Sequence, residues 1–284
     1  MDLEGRREST NVEDRRGKRA AGVSLGIGGT ILVGIIALIM GRNPAEVMQN
    51  INAGGGTDTE TTYTPSAEEE ALASFTKKVL ASTEDVWSAQ FKKMGREYIP
   101  PKLVMFTDQV QSACGNATAA VGPFYCSADQ TVYIDLSFFM SMKKTLGADG
   151  DFAYAYVIAH EVGHHVQNLL GTLSQAHQKM AQVSQTESNQ ISVRLELQAD
   201  YYAGVWAHHE DNMYGSLEDG DLEEAINTAS VIGDDYLQKK ARGYATPESF
   251  NHGTSQQRMR WLKKGFTTGD VNGGTTFQGS YSDL

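Results

Sequence analysis

The sequence predicts a mainly helical α+β domain with a small sheet, carried on a single N-terminal transmembrane helix. Long segments in the second half of the chain repeat apolar residues with the period of a helix, whereas only short segments alternate as strands do. Residues 20–41 form one uncharged apolar run. The chain has 284 residues, 40% of them hydrophobic, so it can also bury a substantial core.

The apolar run at residues 20–41 is long enough to span a bilayer and to contact membrane lipid. Basic residues just before it predict a cytoplasmic N-terminus, with everything after the run periplasmic or extracellular. A cleaved signal peptide is one alternative, but the run is long for such a core and no small-residue cleavage site precedes Arg42. A buried globular helix is the other alternative.

The composition on either side of the run divides the chain further. Residues 1–19 are polar and charge-dense, and we expect a short flexible tail. Residues 42–67 are rich in Gly and Thr and predict a flexible linker, and residues 68–266 carry the folded domain. Residues 267–284 have no periodicity, so we expect a second flexible tail. The net charge of −11 argues against nucleic acid as a partner.

Within the domain, apolar patterns and turn residues predict four helical segments and two strands besides the two helices treated below. The helices are expected from residue 68 to Leu80, from Thr83 to Met94, from Asp221 to Arg242 with a break at Gly233, and from Ser255 to Lys264, and the strands at Leu103–Phe106 and Thr131–Leu136.

A predicted helix at Phe152–Leu170 contains the pattern His-Glu-x-x-His. His160 and His164 are four residues apart and share one helix face, so both imidazoles can bind one metal ion. Glu161 lies one step round the helix and is the expected general base. Gly163 is a poor helix former, which predicts a close approach of backbone or substrate there. The alternative for the pattern is a helix surface that happens to carry histidines.

A second predicted helix at Asn189–His208 carries two carboxylates four residues apart. A catalytic zinc keeps three protein ligands, and Glu196 is placed to be the third. Asp200 is placed to accept a hydrogen bond from the far ring nitrogen of a ligand histidine. A solvated acidic helix face is the alternative for both residues.

Four further residues have candidate roles. Cys114 and Cys126 are the only cysteines, and outside the cytoplasm we expect them to form a disulfide, a reactive or metal-binding thiol pair being the alternative. His252 lies in a glycine-containing turn and is a candidate donor to a developing oxyanion, or else a histidine that locks the turn. His165 points away from His160, so we expect it to support the site or the fold.

The two helix motifs, His-Glu-x-x-His and Glu-x-x-Ala-Asp, resemble those of zincin metallopeptidases whose third ligand is a glutamate. More closely, the chain resembles the bacterial neutral zinc metallopeptidase family. Besides the two zinc motifs, the likeness is carried by several other stretches: Gly5–Ser9, Asn11–Arg16, Gly122–Cys126, Val132–Leu136, Ser249–Ser255 and Gln257–Arg258.

The resemblance implies a membrane-anchored zinc peptidase with a zincin-like fold, one zinc ion per chain and a peptide or protein substrate. In zincins an edge strand pairs with extended substrate, and we expect that role for one predicted strand or for the segment near Pro123–Tyr125. Two alternatives stay open: a non-catalytic zinc-containing interaction module of the cell envelope, and a zinc hydrolase of a non-peptide amide. The presence of Glu161 argues against the first.

Overall fold

A small mixed sheet and a larger set of helices make up the fold, described by residues 1–17, 63–118 and 122–284 of the computed structural model. The strands are β1 (Val12–Asp14), β2 (Lys102–Phe106), β3 (Gln109–Ser112), β4 (Gly115–Thr118), β5 (Phe124–Cys126) and β6 (Thr131–Asp135). The α-helices are α1 (Ala67–Lys93), α2 (Ser137–Leu146), α3 (Asp151–Leu170), α4 (Thr172–Met180), α5 (Gln185–Tyr214), α6 (Asp221–Val231), α7 (Asp234–Arg242) and α8 (Ser255–Thr268).

The main sheet has the strand order β1-β2-β6-β5. β1, β2 and β6 run parallel, and β5 is antiparallel to β6. β6 is buried along its whole length and β2 is buried after its first residue, as expected for central strands. β5 therefore lies at an edge of this sheet among the strands that the structure describes. β3 and β4 form a separate antiparallel hairpin.

The core lies between the sheet and the helix pair α3 and α5. Large aromatic side chains from α1, α3 and α5 fill it, with Trp87, Phe152 and Trp206 all nearly inaccessible to solvent. Phe152 and Trp206 stack at a centroid distance of 5.9 Å, which joins α3 to α5 directly. The two helices that carry the metal motifs are thus held by one continuous apolar cluster.

Most predicted elements are confirmed, including the strands at β2 and β6 and the break between α6 and α7 at Gly233. The prediction of two helices before Met94 is wrong, because α1 is continuous. Thr83, the predicted start of the second helix, is buried inside α1, and its hydroxyl donates to the Leu80 carbonyl at 2.7 Å. Because this hydroxyl has a hydrogen-bond partner within α1, Thr83 does not interrupt the helix.

The prediction that residues 1–19 form a flexible tail is wrong for the described part, residues 1–17. β1 adds to the sheet by pairing with β2, and the Leu3 side chain is buried in the main core. The Arg6 guanidinium lies 2.7 Å from the buried Glu210 carboxylate. Ser9 and Asn11 donate to Glu84 at 2.5 and 2.7 Å.

The physical reason lies in these two buried carboxylates. Glu84 and Glu210 are 6% and 0% exposed, and a buried carboxylate without a partner costs several kcal/mol. The N-terminal segment supplies the Arg6 guanidinium to Glu210, and it supplies the Arg7 guanidinium and the Ser9 hydroxyl to Glu84. The composition of this segment is typical of disorder, but contacts with carboxylates on α1 and α5 hold it in one conformation.

We expect Leu3→Ala to lower the free energy of unfolding by about 2–3 kcal/mol, because it opens a cavity in the core. Urea unfolding followed by tryptophan fluorescence measures this. Thr10→Ala changes an exposed side chain of the same segment and is the matched control, with an expected effect within about 0.5 kcal/mol. A Leu3→Ala protein as stable as the control would mean that the segment is not docked in solution.

The predicted flexible tail at residues 267–284 is also wrong. Gln198 on α5 donates to the Gly274 carbonyl at 2.6 Å, and Arg194 donates to the Gly279 carbonyl at 3.1 Å. The Thr276 side chain is buried and donates back to the Arg194 carbonyl at 2.7 Å. Polar side chains of α5 hold the carbonyl groups of this glycine-rich segment, which apolar periodicity does not reveal.

The predicted transmembrane helix at residues 20–41 and nearly all of the predicted linker at 42–67 lie outside the described residues, so both stay predictions. Within the ranges that the structure describes, no helix combines the length and the apolar character needed to cross a membrane. Gly17 and Tyr63, which stand on either side of residues 18–62, are neighbours in the structure. Gly17, with φ of +70°, lies so close to Tyr63 that a Cβ at position 17 would overlap the tyrosine side chain.

Candidate functional site

Helix α3 holds the His-Glu-x-x-His motif in the interior of the fold. The helix begins after Gly150 and ends at Gly171, whose left-handed backbone has φ of 84°. His160 and His164 lie one above the other on the same face, with ring centroids 4.9 Å apart. The helical spacing thus places the two imidazoles together, as the sequence predicts.

The close approach predicted at Gly163 is confirmed. A Cβ at this position would lie 2.9 Å from the backbone oxygen of Ala199 on α5, which is closer than real side chains come. The missing side chain therefore lets α5 pack directly on α3. Glu196 precedes Ala199 by three residues, so this contact is what brings its carboxylate up to the histidines.

The structure brings His160, His164 and Glu196 into one cluster of possible metal donors. Nε2 of His160 lies 3.2 Å from Oε2 of Glu196, and Nε2 of His164 lies 3.3 Å from Oε1. One donor atom from each residue lies within 4.8 Å of the others. Three donor atoms this close together could hold one metal ion.

The tautomers of the two histidines follow from their other ring nitrogens. Nδ1 of His160 lies 2.7 Å from the Asp200 carboxylate, which can only accept, so Nδ1 carries the hydrogen. Nδ1 of His164 lies 2.9 Å from Oε1 of Gln167, whose Nε2 is used in donating to the Leu195 carbonyl. Both histidines thus keep a hydrogen on Nδ1, and Nε2 is the ring nitrogen that faces the cluster and is left to bind a metal ion.

Asp200 is the centre of a buried polar network. It is fully buried and also accepts from the Tyr156 hydroxyl at 2.6 Å. The Arg258 guanidinium, from α8, donates to both of its oxygens at 2.9 Å. This bidentate pair holds the carboxylate in one orientation, and through it the His160 ring. Asp200 is therefore where the sequence predicts it, with a cationic partner that the sequence analysis did not identify.

The charges around the cluster favour a bound cation. Burial alone would lower the pKa of His160, but the carboxylates of Asp200 and Glu196 raise it to about 10. Burial likewise opposes ionisation of Glu196, yet His164 and His160 hold its pKa well below the usual range. The cluster therefore keeps an ionised carboxylate next to two nitrogens that attract a positive charge.

These donors fit a zinc ion. Two imidazole nitrogens and one carboxylate form a donor set of catalytic zinc sites, which leave a further position for water or substrate. Each imidazole is held through its second nitrogen, by Asp200 or Gln167, which is the support that ligating histidines usually have. Both the positions of the side chains and the chemistry of the donor atoms therefore suit zinc.

Glu161 lies beside this cluster and outside it. Its side chain is 8% exposed, and it lines the same cavity as His160 and His164. Burial raises the pKa of its carboxyl group, and the neighbouring histidines act in the opposite direction. A carboxylate with a raised pKa, facing the cavity, is suited to accept and return a proton.

His252 lines this cavity as well, from the turn between α7 and α8. Its Nδ1 lies 3.1 Å from the fully buried carboxylate of Asp234. The same carboxylate accepts from the backbone N–H groups of Asn251, His252 and Gly253 at 2.7–3.1 Å. Asp234 is thus the residue that locks the turn, and it fixes the His252 ring at the wall of the cavity that the metal donors also line.

The cavity has a volume of about 340 Å³, and apolar side chains make up much of its wall. It is bounded by the edge strand β5, through Phe124 and Tyr125, and by α3, α4 and α5. The predicted disulfide between Cys114 and Cys126 is confirmed, with an S–S distance of 2.03 Å. It joins the β3–β4 turn to the end of β5, at the cavity rim.

The sequence analysis missed Gln167, Asp234 and Arg258. Gln167 follows His164 by three residues on the same helix, so helical spacing was a usable signal for it. Asp234 and Arg258 reach the site only through tertiary packing, from elements 18 residues and 58 residues away from their partners. Arg258 belongs to one of the stretches that carry the family resemblance, but no local pattern shows which partner either residue has.

Comparisons with known proteins show the family of the chain. The family described as "Putative neutral zinc metallopeptidase" matches residues 1–277. Uncharacterized protein YpfJ of Escherichia coli K12 is 49% identical over 98% of this chain and 99% of its own length. Uncharacterized protein Mb2605 of Mycobacterium bovis is 40% identical over 73% of this chain and 71% of its own length.

No solved structure gives a significant match to the chain. The family match covers both helices of the donor cluster and the turn that carries His252. It also covers the docked N-terminal segment at residues 1–17. The chain therefore belongs to the family described as putative neutral zinc metallopeptidases.

Proposed function

We propose that the protein hydrolyses peptide bonds with a single zinc ion held by His160, His164 and Glu196. The observation that carries the proposal is the meeting of these three donors with Glu161 in one cavity beside an edge strand. A zinc site that only braces a fold has no need of a fourth, non-ligating carboxylate. A bracing site also closes all four metal positions with protein ligands, whereas this cluster offers three.

Zinc bound there supplies a Lewis acid that polarises a carbonyl group and makes water more acidic. Glu161 accepts a proton from the attacking water as its oxygen bonds to the scissile carbonyl carbon. It returns that proton to the nitrogen of the leaving amine as the C–N bond breaks. One water is consumed, and the products are a carboxylic acid and an amine.

The pair of His252 and Asp234 would stabilise the negative charge that develops on the carbonyl oxygen. Because Nδ1 of His252 is bonded to Asp234, Nε2 is the ring nitrogen left for a substrate oxygen. Burial lowers the pKa of His252, but the Asp234 carboxylate overcomes this and raises it. A protonated His252 donates from both nitrogens, which suits it to an oxyanion.

The edge strand β5 would orient the substrate. Its backbone pairs with β6 on one side only among the described strands, and its side chains Phe124 and Tyr125 line the cavity. An extended peptide that pairs with this edge would run past the metal donors. The apolar walls of the cavity would receive uncharged side chains of that peptide.

The test combines metal content with hydrolysis. The purified protein is expected to hold one zinc per chain and to cleave an unstructured protein such as denatured casein. Removal of the metal with a chelator should abolish cleavage, and added zinc should restore it. Zinc without cleavage of any peptide would favour the interaction module or the hydrolysis of another amide. Absence of bound metal would refute the proposed site.

We expect His252→Phe to lower kcat about 100-fold while the protein keeps its zinc, because the oxyanion loses a donor. Steady-state kinetics on a fluorogenic peptide, with elemental analysis of zinc, separates the two effects. His177→Phe is a matched control, because His177 lines the same cavity from α4 without contacting Asp234 in the described structure. Equal kcat values for wild type and His252→Phe would leave His252 only a structural role.

A further inference from the structure

His165, the residue after the second motif histidine, is fully buried and lies outside the metal cluster. Its Nε2 lies 2.7 Å from the backbone oxygen of Ile99, and its Nδ1 lies 2.9 Å from the Tyr125 hydroxyl. A carbonyl oxygen can only accept, so Nε2 carries the hydrogen and Nδ1 is the acceptor. The Tyr125 hydroxyl must therefore donate to His165.

The same hydroxyl has a second partner on α3. The Asn168 side chain donates to the Tyr125 oxygen at 3.1 Å. His165 and Asn168 are three residues apart and share a helix face, so together they hold the phenol from two sides. The rings of Tyr125 and His165 also meet edge to face, with centroids 5.4 Å apart.

Tyr125 is the middle residue of the three-residue edge strand β5, where it pairs with Val132 of β6. It lines the cavity that contains His160 and Glu161. Helix α3 therefore provides two metal donors on one face and holds the edge strand from another. Because the same helix carries the metal donors and the side chains that hold Tyr125, it fixes the position of the strand relative to those donors.

We propose that His165 is a positioning residue that sets the edge strand β5, through Tyr125, at the distance from the metal donors that an extended peptide requires. This rests on the proposed function, in which peptide substrate pairs with β5. His165 acts on neither the metal nor the reacting atoms. Its effect is therefore on substrate binding rather than on the chemical step.

The first test compares Tyr125→Phe and His165→Phe with wild type. Tyr125→Phe removes both side-chain hydrogen bonds that join α3 to Tyr125, His165→Phe removes one of them, and both variants keep an aromatic ring. We expect KM to rise about five- to tenfold, with kcat within about twofold and one zinc still bound per chain. His165→Gln can donate to Ile99 and accept from Tyr125, and it should restore part of the lost affinity.

Tyr154→Phe is the matched control. It removes a tyrosine hydroxyl from the same helix α3, where that hydroxyl contacts Asp149 at 3.2 Å and not the strand. Its KM is expected to equal that of wild type. A kcat that falls together with zinc content in the His165 variants would overturn the proposal, because His165 would then act on the metal site.

Hydrogen–deuterium exchange provides a readout that does not depend on activity. Exchange at residues 122–126 should become faster in Tyr125→Phe and His165→Phe and stay unchanged in Tyr154→Phe. Unchanged exchange and unchanged KM would overturn the role of His165. If wild type cleaves no peptide, the proposed function fails, and exchange alone then decides whether His165 holds the strand.

Discussion

Replacing Glu161 by glutamine is expected to lower kcat about a thousandfold, because the amide has the same shape but cannot take a proton from water. The carboxylate is buried in the cavity beside the metal donors, where no bulk water replaces its function. Initial rates on unstructured protein, measured at equal concentrations of zinc-loaded protein, give the effect. The variant should still hold one zinc per chain, since Glu161 lies outside the donor cluster.

Two controls make this result specific. Glu97→Gln makes the same chemical change at an exposed position and should leave the rate unchanged. Elemental analysis of both variants shows whether any loss of rate comes from loss of metal. A Glu161→Gln protein that keeps its zinc and retains most of the wild-type rate would remove Glu161 from the proposed mechanism.

Arg258→Met is expected to cost about 3–5 kcal/mol of the free energy of unfolding, the largest stability effect that we predict. The guanidinium provides the only cationic side chain other than His160 bonded to Asp200 in the described structure. Asp200 is fully buried, and without Arg258 its charge is left poorly compensated. Urea unfolding of the metal-free proteins measures the loss without a contribution from zinc.

The double variant Arg258→Met, Asp200→Asn removes both charges and should recover most of that stability, since a neutral amide is less costly to bury than a carboxylate. Its zinc affinity should nevertheless stay at least about tenfold below wild type, because the support of the His160 ring is weakened. A single variant as stable as wild type would mean that Asp200 is not ionised in the folded protein.

The part of the site that could be predicted from sequence is the part that depends on local spacing. His160, Glu161 and His164 belong to one helix, and Glu196 and Asp200 to another, so helical geometry relates the members of each set. The meeting of the two helices could be anticipated only from the resemblance and from the missing side chain at Gly163. Its physical cause, the contact with Ala199, belongs to the fold.

The rest depends on contacts between residues far apart in sequence. Arg258 reaches Asp200 across 58 residues, and Arg6 reaches Glu210 across 204. Each of these arginines neutralises a buried carboxylate, and a sequence does not show which carboxylates are buried. For the same reason, the two terminal segments are wrongly predicted to be flexible. Their polar composition predicts disorder, and the sequence does not show their partners on α1 and α5.

The docking of residues 1–17 also bears on how the chain can meet a membrane. Gly17 and Tyr63 touch on the surface of one folded body, so the chain leaves and rejoins that body at the same place. A single crossing by residues 20–41 would put the two on opposite sides of a hydrocarbon layer about 30 Å thick. The predicted topology and the docked strand β1 are therefore mutually exclusive states. Membrane insertion of that run in the predicted orientation would pull β1 from the sheet and expose Glu84 and Glu210.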